Sequence, residues 1–454
     1  MFVDRRAILA AGLGLSAAAT AAAAGDSAVR KPLPRSTVQD LVAALVPNAP
    51  HDQTAALQRA IDQAAEKDLP LVLPEGTFRV SDLRLRAGTC LIGQSCRTVL
   101  EFSGGAAFVT ASKANGLVLQ GLVFDGAYKT LDESRGEALV NISHSQEICI
   151  DGSEFRNSAK SGLSLTACSG RVANTTVHDV LDAGIKSLDA TGLDIRANRV
   201  MRCANNGILV WRSETGEDGT IVASNRISNI RNAAGGSGEN GNAINVFRAG
   251  GVLIEGNRLS DCAYSAVRGN AASNIQIIAN SCERLGEVAI YAEFGFEGAL
   301  IANNIIDSAA TGISVTNFNE GGRLAVIQGN LIRNLFRRDQ EPDGERRGEG
   351  IGVEADAVVS GNTIEGAPTV GIQIGWGPFM RDVAATGNVI RRSRVGISIT
   401  NAGEAGSCLI ANNLISQAAD GAIRTMTHGV VSGPDLARDA KGAGRITLNG
   451  NLAT

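Results

Sequence analysis

The sequence is poor in aromatic residues and histidine, and its net charge is small. Its 454 residues include 12 Phe, 3 Tyr, 2 Trp and 4 His, with a formal net charge of −4. The scattered His form no pair at the spacing of metal ligands, and the charge gives no basic surface of the kind that binds nucleic acid. Glycine is abundant, with 54 residues. Many glycines beside few aromatic rings are typical of short strands joined by tight turns.

Long apolar runs are also missing, except at the N-terminus. There, Arg5 and Arg6 precede the mildly apolar run Ala10–Ala24. This pattern predicts a twin-arginine (Tat) export signal over residues 1–24, followed by a linker over residues 25–50. An ordinary secretory signal and an uncleaved anchor are the alternatives. No other stretch is long and apolar enough to span a membrane, so we expect a periplasmic or secreted protein.

The chain has eight Cys residues, and their spacing matches no zinc-binding pattern. Most stand among strand-like apolar residues, which favours buried free thiols. Cys90 and Cys96 are the one close pair, and an oxidising compartment would allow a disulfide between them. The sequence leaves this pairing open.

An Asn recurs along most of the chain at intervals of 23 to 32 residues, each time followed by a Gly-aliphatic strand signal. The recurring residues are Asn198, Asn225, Asn257, Asn280, Asn303, Asn330, Asn362, Asn388 and Asn412. A period of this length predicts one coil of a solenoid per repeat. Each repeat divides into three short pieces in which aliphatic residues alternate with small or polar ones, as in strands with one buried face. We therefore predict an all-β fold, a right-handed parallel β-helix over residues 51–454.

Two further structural expectations follow from the repeats. The recurring Asn is expected to adopt the left-handed conformation of a tight bend, with its amide bonded to the Asn above and below. The segment His51–Lys67 has apolar residues at helical spacing and Asp52 as its predicted N-cap. A helix there would cover the open first coil of the solenoid.

The N-terminal part resembles a known group of proteins. Residues 52–61, DQTAALQRAI, and residues 71–78, LVLPEGTF, resemble the start of the pectate-lyase-like β-helix superfamily. Together with the export signal, the whole chain resembles a family of twin-arginine-translocated repeat proteins of uncharacterised function. The resemblance implies the fold and export. It does not imply one activity, because the superfamily contains lyases, hydrolases, epimerases and phage tailspikes.

The stacked Gly-Ile strands are expected to place two columns of side chains on one outer face. Neighbours in a column would lie about 4.8 Å apart, which brings together Glu293, Arg268 and Tyr291 as predicted catalytic residues. Glu293 would act as acid or base and Arg268 would neutralise charge. The predicted substrate-binding residues are Asn245, Phe247, Asn270, Trp211, Glu354 and Trp376.

Alternatives to this site are weaker or of a different kind. The outer columns offer only Glu293 and Glu354 as carboxylates, too few for calcium, so no metal or cofactor is expected. The pair His178–Asp179 is interpreted as part of a solvated turn. The insertions Arg231–Asn242 and Arg337–Glu349 would form walls of a groove. For Trp376, packing beneath its own loop is the alternative to exposure in that groove.

These patterns lead to one main functional hypothesis. We expect an exported protein that binds an extended, acidic polysaccharide or surface glycan along this sheet, and cleavage by a lyase or hydrolase reaction is an open extension. The alternative is a non-catalytic envelope or surface scaffold whose flat face meets a protein or glycan. The sequence does not determine the sugar, the linkage or the oligomeric state.

Overall fold

The structure is a computed structural model that describes residues 41–132, 134, 136–338, 347–438 and 444–454. The predicted signal over residues 1–24 and the first part of the predicted linker lie outside the described residues. So does the centre of the second insertion, residues 339–346.

The chain winds into three sheets, each with 15 strands, and each coil contributes one strand to each sheet, except that the last strand of sheet C is the second strand of a hairpin. The other strand pairs are parallel in the described residues. Sheet A contains Pro70–Val72, Cys90–Ile92, Val118–Gln120, Ile148–Asp151, Gly170–Ala173, Leu193–Arg196, Ile221–Ala223, Leu253–Glu255, Ile275–Ile278, Glu297–Ala302, Arg323–Gln328, Ala357–Ser360, Val383–Thr386, Cys408–Ala411 and Ile446–Asn449. Sheet B contains Gly76–Val80, Thr98–Phe102, Val123–Asp125, Glu154–Ser158, Thr176–Val180, Arg199–Cys203, Arg226–Ile230, Arg258–Cys262, Ser281–Leu285, Ile305–Asp307, Leu331–Arg333, Thr363–Glu365, Val389–Arg391, Leu414–Ser416 and Leu452–Ala453. Sheet C contains Leu83–Leu85, Val109–Ser112, Ala138–Ser143, Ser161–Thr166, Ala183–Leu188, Asn206–Glu217, Ile244–Gly250, Val267–Asn270, Val288–Glu293, Thr311–Val315, Glu349–Val353, Val370–Ile374, Val395–Thr400, Ile423–Thr427 and Val430–Asp435. The predicted right-handed parallel β-helix is confirmed.

The Gly of the repeated Gly-Ile motif is required by the close approach of successive coils. A Cβ atom on Gly350 would lie 2.2 Å from the carbonyl oxygen of Gly371, and a Cβ on Gly371 would lie 2.7 Å from that of Gly396. Both distances are shorter than any side chain tolerates. The aliphatic residue that follows, such as Ile351, is fully buried in the core. The motif therefore combines backbone contact between coils with burial of the next side chain.

Inside the bend between sheets A and B, buried Asn side chains form a continuous ladder. Asn225 illustrates the unit: its backbone N–H donates to Asn257 Oδ1 at 2.9 Å, and its Nδ2 donates to the same oxygen at 3.0 Å and to the Ile195 carbonyl at 2.9 Å. The ladder consists of Asn198, Asn225, Asn257, Asn280, Asn304, Asn330, Asn362, Asn388, Asn413 and Asn451. Each rung satisfies buried donors that the bend would otherwise leave without partners.

Two details of the predicted ladder were wrong. The ladder passes through Asn304 and Asn413, whereas the repeat pattern had selected their neighbours Asn303 and Asn412. The left-handed conformation belongs to the residue before each rung, with φ of 57° at Asn303 and 55° at Asn412. The physical reason is that the left-handed residue turns the chain, so that the next side chain points inward.

The predicted helix is present as α1, Thr54–Glu66, and buries Leu57, Ala60, Ile61 and Ala64. The predicted N-cap was wrong by one residue, because Gln53 occupies that position and caps through no side-chain bond. Asp52 still accepts a hydrogen bond from the Thr54 N–H at 2.9 Å. The helix lies against the first strands of sheets A, B and C.

The described residues of the solenoid contain neither the disulfide that the sequence left open nor a helix that could span a membrane. No disulfide joins Cys90 and Cys96. Cys203, Cys262 and Cys282 are buried in the core, and burial raises the pKa of each of these thiols. Within the described ranges, no helix combines the length and hydropathy needed to cross a bilayer.

Replacing one rung of the ladder is expected to destabilise the fold. Asn304→Ala would leave the backbone N–H of Asn280 and one of its two Nδ2 N–H groups without their acceptor, while the other still donates to the Ile254 carbonyl. Each buried donor left unpaired costs on the order of 1–3 kcal/mol. The measurement is the free energy of unfolding in urea. Asn303→Gly, at the adjacent left-handed position, is the control, with an expected change within about 0.5 kcal/mol. Equal losses in both variants would contradict this account of the ladder.

Candidate functional site

The outer face of sheet C has the two side-chain columns expected from the sequence. Along the first column, Asn245 pairs with Arg268 and Arg268 pairs with Tyr291. Along the second, Asn270 pairs with Glu293. These residues therefore lie together on adjacent coils, as predicted, although the depth of their side chains differs.

Arg268 and Glu293 form a buried, bidentate ion pair. Arg268 Nε lies 2.6 Å from Glu293 Oε1, and Nη2 lies 3.1 Å from Oε2. The Glu293 side chain is only 3% exposed and that of Arg268 is 13% exposed. Asn270 donates a further bond to Glu293 Oε1 at 3.3 Å, and Arg268 lies over the Tyr291 ring at 5.0 Å. Both carboxylate oxygens are thus engaged beneath Arg268.

Burial dominates the electrostatics of this pair. Burial raises the pKa of Glu293 above its ordinary value, and the charge of Arg268 offsets this only in part. Burial also raises the pKa of Tyr291. A second carboxylate, Glu287, lies 3.7 Å from Arg268 Nη1. The arrangement holds the guanidinium in place, and Glu293 does not contact the cavity above it.

That cavity, called here the central cavity, has a volume of about 300 Å³. It is lined by Trp211, Ser237, Gly238, Glu239, Asn245, Phe247, Arg268, Asn270 and Phe294. Trp211 Nε1 donates to Asn245 Oδ1 at 3.1 Å, and the Trp211 and Phe247 ring centroids are 6.2 Å apart at 69°. The predicted insertion supplies one wall, Ser237–Glu239, and Asn245 Nδ2 donates to the Glu239 carbonyl at 3.3 Å.

Sequence reasoning missed Phe294, which lines this cavity and is 39% exposed. Its φ of 55° is unusual for a bulky residue. No pattern in the repeat signals this conformation. Strain at an exposed aromatic residue beside a cavity is typical of functional sites.

Glu354 and Trp376, also predicted to bind substrate, lie farther along sheet C. Glu354 is two coils from Glu293 in the same column, where its Oε2 accepts the Phe318 N–H at 2.6 Å, and burial raises its pKa. Trp376 lines another cavity of about 220 Å³, the C-terminal cavity, together with Gln373, Ser398 and His428. The Trp376 ring packs edge-on against His428 with centroids 5.8 Å apart.

A third cavity, the N-terminal cavity, has a volume of about 540 Å³ and lies on the first coils of sheet C. Small polar side chains dominate its lining, including Thr110, Ser112, Asn141, Ser143, Ser164 and Thr166. No sequence pattern predicted this cavity, because short hydroxyl side chains on an exposed strand are ordinary. Glu137, which also lines this cavity, pairs with Lys186.

The three cavities follow one another along a single column of sheet C. The register from Asn141 to Ser398 passes through ten successive strand pairings, a distance of about 48 Å at the strand spacing. The described residues contain no group of three or more His, Cys, Asp or Glu side chains placed to hold a metal ion.

His178 was wrongly interpreted as part of a solvated turn, since it lies in the sheet B strand Thr176–Val180. Its Nδ1 is 2.6 Å from Asp179 Oδ2, and its Nε2 is 3.2 Å from Glu154 Oε1. Arg202 pairs with Asp179 through two bonds of 2.7 Å. The φ of 55° at Asp179 turns this side chain back toward the imidazole, which a period-two pattern does not reveal.

Two family models match overlapping parts of the chain. The model described as "Rhamnogalacturonase A/epimerase, pectate lyase-like" matches residues 44–269, and "Right handed beta helix region" matches residues 215–388. The chain carries a pectate-lyase-like right-handed β-helix. A search of curated protein sequences finds no match.

Several solved structures share this fold. The A-module of mannuronan C-5 epimerase AlgE6 from Azotobacter vinelandii is 17% identical, with a TM-score of 0.52 over 92% of this chain and 98% of that one. The AlgE4 A-module from the same organism is 18% identical, with a TM-score of 0.51 over 82% and 99%. The N-terminal fragment of bacteriophage Phi29 gene product 12 is 14% identical, with a TM-score of 0.54 over 87% and 68%. At these identities the likeness establishes the β-helix alone.

Breaking the buried ion pair from one side is expected to destabilise the protein. Glu293→Gln leaves the Arg268 charge with weaker compensation, which costs on the order of 3–5 kcal/mol for a buried pair. The double variant Arg268→Met with Glu293→Leu removes both charges and is expected to recover most of that loss. Chemical denaturation of both variants measures the difference. If the double variant were no more stable than Glu293→Gln, the loss in the single variant would not come from the broken ion pair of Arg268 and Glu293.

The His178 cluster predicts a pH dependence of stability. The hydrogen bond to Glu154, partly offset by burial, raises the pKa of His178 above its ordinary value. The protonated form is therefore favoured in the folded state, and its stabilisation is complete below about pH 6.5, the pKa of an unfolded His. That stabilisation is lost as the pH rises through the folded pKa.

Urea denaturation of wild type and His178→Asn at pH 6 and pH 9 tests this expectation. The wild type should lose more free energy of unfolding than the variant between the two pH values. His144→Asn, at an exposed position, is the control and should behave like the wild type. If His178→Asn lost as much free energy of unfolding between the two pH values as the wild type, the cluster would not be the source of the pH dependence.

Proposed function

We propose that the protein is exported and binds an extended, acidic polysaccharide lengthwise on the outer face of sheet C. The observation that carries this proposal is the alignment of the three cavities along one column of that face. A pyranose unit advances an extended chain by about one strand spacing, so successive sugars would stay in step with successive coils. A small globular ligand would need only one of these cavities.

The side chains of the central cavity suit a sugar ring. Trp211 and Phe247 present aromatic surface against which the apolar face of a pyranose packs. Asn245, Asn270 and Arg268 supply amide and guanidinium donors beside the rings. This combination of an apolar platform with few directed polar groups is typical of small-molecule sites. The two epimerase modules of similar fold are named for a polysaccharide, mannuronan, which agrees with this proposal.

Binding without cleavage is the function that the geometry supports best. For Glu293 to act as acid or base, Arg268 would have to leave both of its oxygens. Glu354, the other predicted carboxylate, accepts a backbone N–H and does not line the central cavity. In the described conformation Glu293 therefore acts as a positioning residue for Arg268.

A surface scaffold is the second candidate, and one observation favours it. The outer face of sheet A has a column of aliphatic side chains that is half-buried at Leu300 and exposed at Val326, Val358 and Leu409. These residues pair directly or through Ala384. Contiguous apolar surface of this kind marks protein contacts. Under this hypothesis sheet A meets the partner, and sheet C has no glycan.

Polysaccharide binding is tested by calorimetric titration with polygalacturonate, alginate and a neutral glucan. We expect binding of an acidic polymer, with Trp211→Ala weakening the affinity at least tenfold, about 1.4 kcal/mol. Tyr128→Ala, which removes an exposed aromatic residue from the sheet B side, should bind like the wild type. New reducing ends and unsaturated uronates, measured in the same mixtures, should not appear. Failure of every polymer to bind would favour the scaffold.

Export through the twin-arginine pathway is the second part of the proposal and rests on Arg5 and Arg6. Replacing both by Lys in the full chain is expected to keep the protein in the cytoplasm, because that pathway reads the paired guanidinium groups. Cell fractionation measures the distribution. Arg30→Lys, the same chemical change in the linker, is the control. Continued export of the double variant would point to an ordinary secretory signal.

A further inference from the structure

The C-terminal cavity differs from the other two because an element of the fold closes it at one end. The last two strands of sheet C, Ile423–Thr427 and Val430–Asp435, form an antiparallel hairpin, whereas the other described strand pairs are parallel. The hairpin turn lines the cavity through His428, Gly429, Val430 and Val431. In the described residues this hairpin forms one edge of sheet C, and its turn is the wall of the groove at that edge.

Contacts across the cavity hold this wall in place. A Cβ atom on Gly377 would lie 2.5 Å from His428 Nε2, and one on Gly429 would lie 3.0 Å from the Trp376 ring. The turn and the Trp376 loop are therefore in close contact. Thr400 Oγ1 fixes the same loop by donating to the Gly377 carbonyl at 2.6 Å. A polysaccharide lying along sheet C would meet this wall.

The floor of the cavity contains a buried hydroxyl group that points to a ligand. Ser398 and Gln373 pair on neighbouring strands and both line the cavity. Ser398 is 3% exposed, and its Oγ has no hydrogen-bond partner among the described residues. A buried hydroxyl without a partner is costly, and a sugar hydroxyl seated on the floor would supply one.

The charge around the cavity suits an anionic group. Arg337, Arg347 and Arg394 are among its lining residues, and Glu349 is the one acidic residue in the described lining. Burial raises the pKa of Glu349, which favours its neutral form. Arg394 Nε contacts Asp420 Oδ2 at 2.5 Å, which orients its guanidinium group. Planar guanidinium groups recognise carboxylates.

We infer that the C-terminal cavity holds the terminal uronate unit of the bound polysaccharide, so that the protein recognises a chain end. This inference rests on the proposed function. Trp376 provides the aromatic surface for the terminal ring, Ser398 and Gln373 hydrogen-bond its hydroxyl groups, and the guanidinium groups receive its carboxylate. The hairpin turn excludes any further sugar unit, whereas internal units lie over the central cavity.

The number of protein molecules bound to each chain tests this inference. Oligomannuronate and oligogalacturonate of two average lengths, about ten and about one hundred units, are titrated by calorimetry at equal concentrations of chains. Recognition of a terminal unit predicts one protein per chain at both lengths. A ratio that rises with length would show internal binding, which overturns the inference and leaves the proposed function intact. If neither polymer binds, the proposed function and the inference both fail.

Variants of two lining residues test whether the C-terminal cavity binds the terminal sugar unit. Ser398→Ala and Trp376→Ala are each expected to weaken binding of the ten-unit oligosaccharides about tenfold. Ser393→Ala is the matched control, because Ser393 is also buried, its Oγ has no partner in the described part of the chain, and it does not line the cavity. It should bind like the wild type. Circular dichroism spectra of all three variants check that they are folded. Unchanged binding by folded Ser398→Ala and Trp376→Ala would overturn the assignment.

A neutral form of the same oligosaccharide tests whether the cavity recognises the carboxylate of the sugar. Chemical reduction converts each uronate to the neutral sugar and keeps the linkage, and we expect the reduced oligosaccharide to bind at least tenfold more weakly. Arg394→Gln should reduce the difference in affinity between the intact and the reduced oligosaccharide, because one guanidinium group no longer faces the carboxylate. Equal affinity of the intact and reduced oligosaccharides for the wild type would contradict the uronate assignment.

Discussion

The hydrogen-bond register between successive coils is the constraint on which the rest of the structure depends. Parallel pairing joins each strand to its equivalent one coil later, and the Asn ladder repeats that register inside the bend between sheets A and B. A shift by one residue would move core side chains to the surface and break the ladder at the same time. Residues distant in sequence, such as Arg268 and Tyr291, are neighbours only because this register holds. The cavities on sheet C depend on it in the same way.

The sequence predicted the strands of the repeat better than the conformation of the bends between them. The Gly-Ile signal fixed the strands of sheet C, so the neighbours of Asn245 and Glu293 were predicted correctly. The Asn doublets were misjudged, because composition does not show which of Asn303 and Asn304 turns the chain. Conformations outside the strand periodicity, such as those of Asp179 and Phe294, left no signal in the pattern. They depend on three-dimensional packing at each bend.

In the candidate site, the sequence predicted which side chains are neighbours but not how deeply they are buried. Sequence spacing placed Glu293 beside Arg268, but it did not show that the pair would be buried with both carboxylate oxygens occupied. Burial with both oxygens bound is the reason we propose that this carboxylate supports the guanidinium group. The insertion that supplies Ser237–Glu239 creates the concavity above the pair. Chemistry on a regular solenoid is thus determined mainly by its insertions and its ends.

The reversal of direction in the final hairpin also affects how the solenoid terminates. A parallel coil offers the next copy a template with the same hydrogen-bond spacing, and stacked copies could then grow into a filament. The strand Val430–Asp435 runs the opposite way, so a coil of another copy stacked on that edge would pair with it antiparallel, in a hydrogen-bond pattern unlike the parallel ladders of sheets A and B. At the other end, α1 lies over the first coil. The hairpin thereby interrupts, in sheet C, the repeat that a stacked copy would have to match.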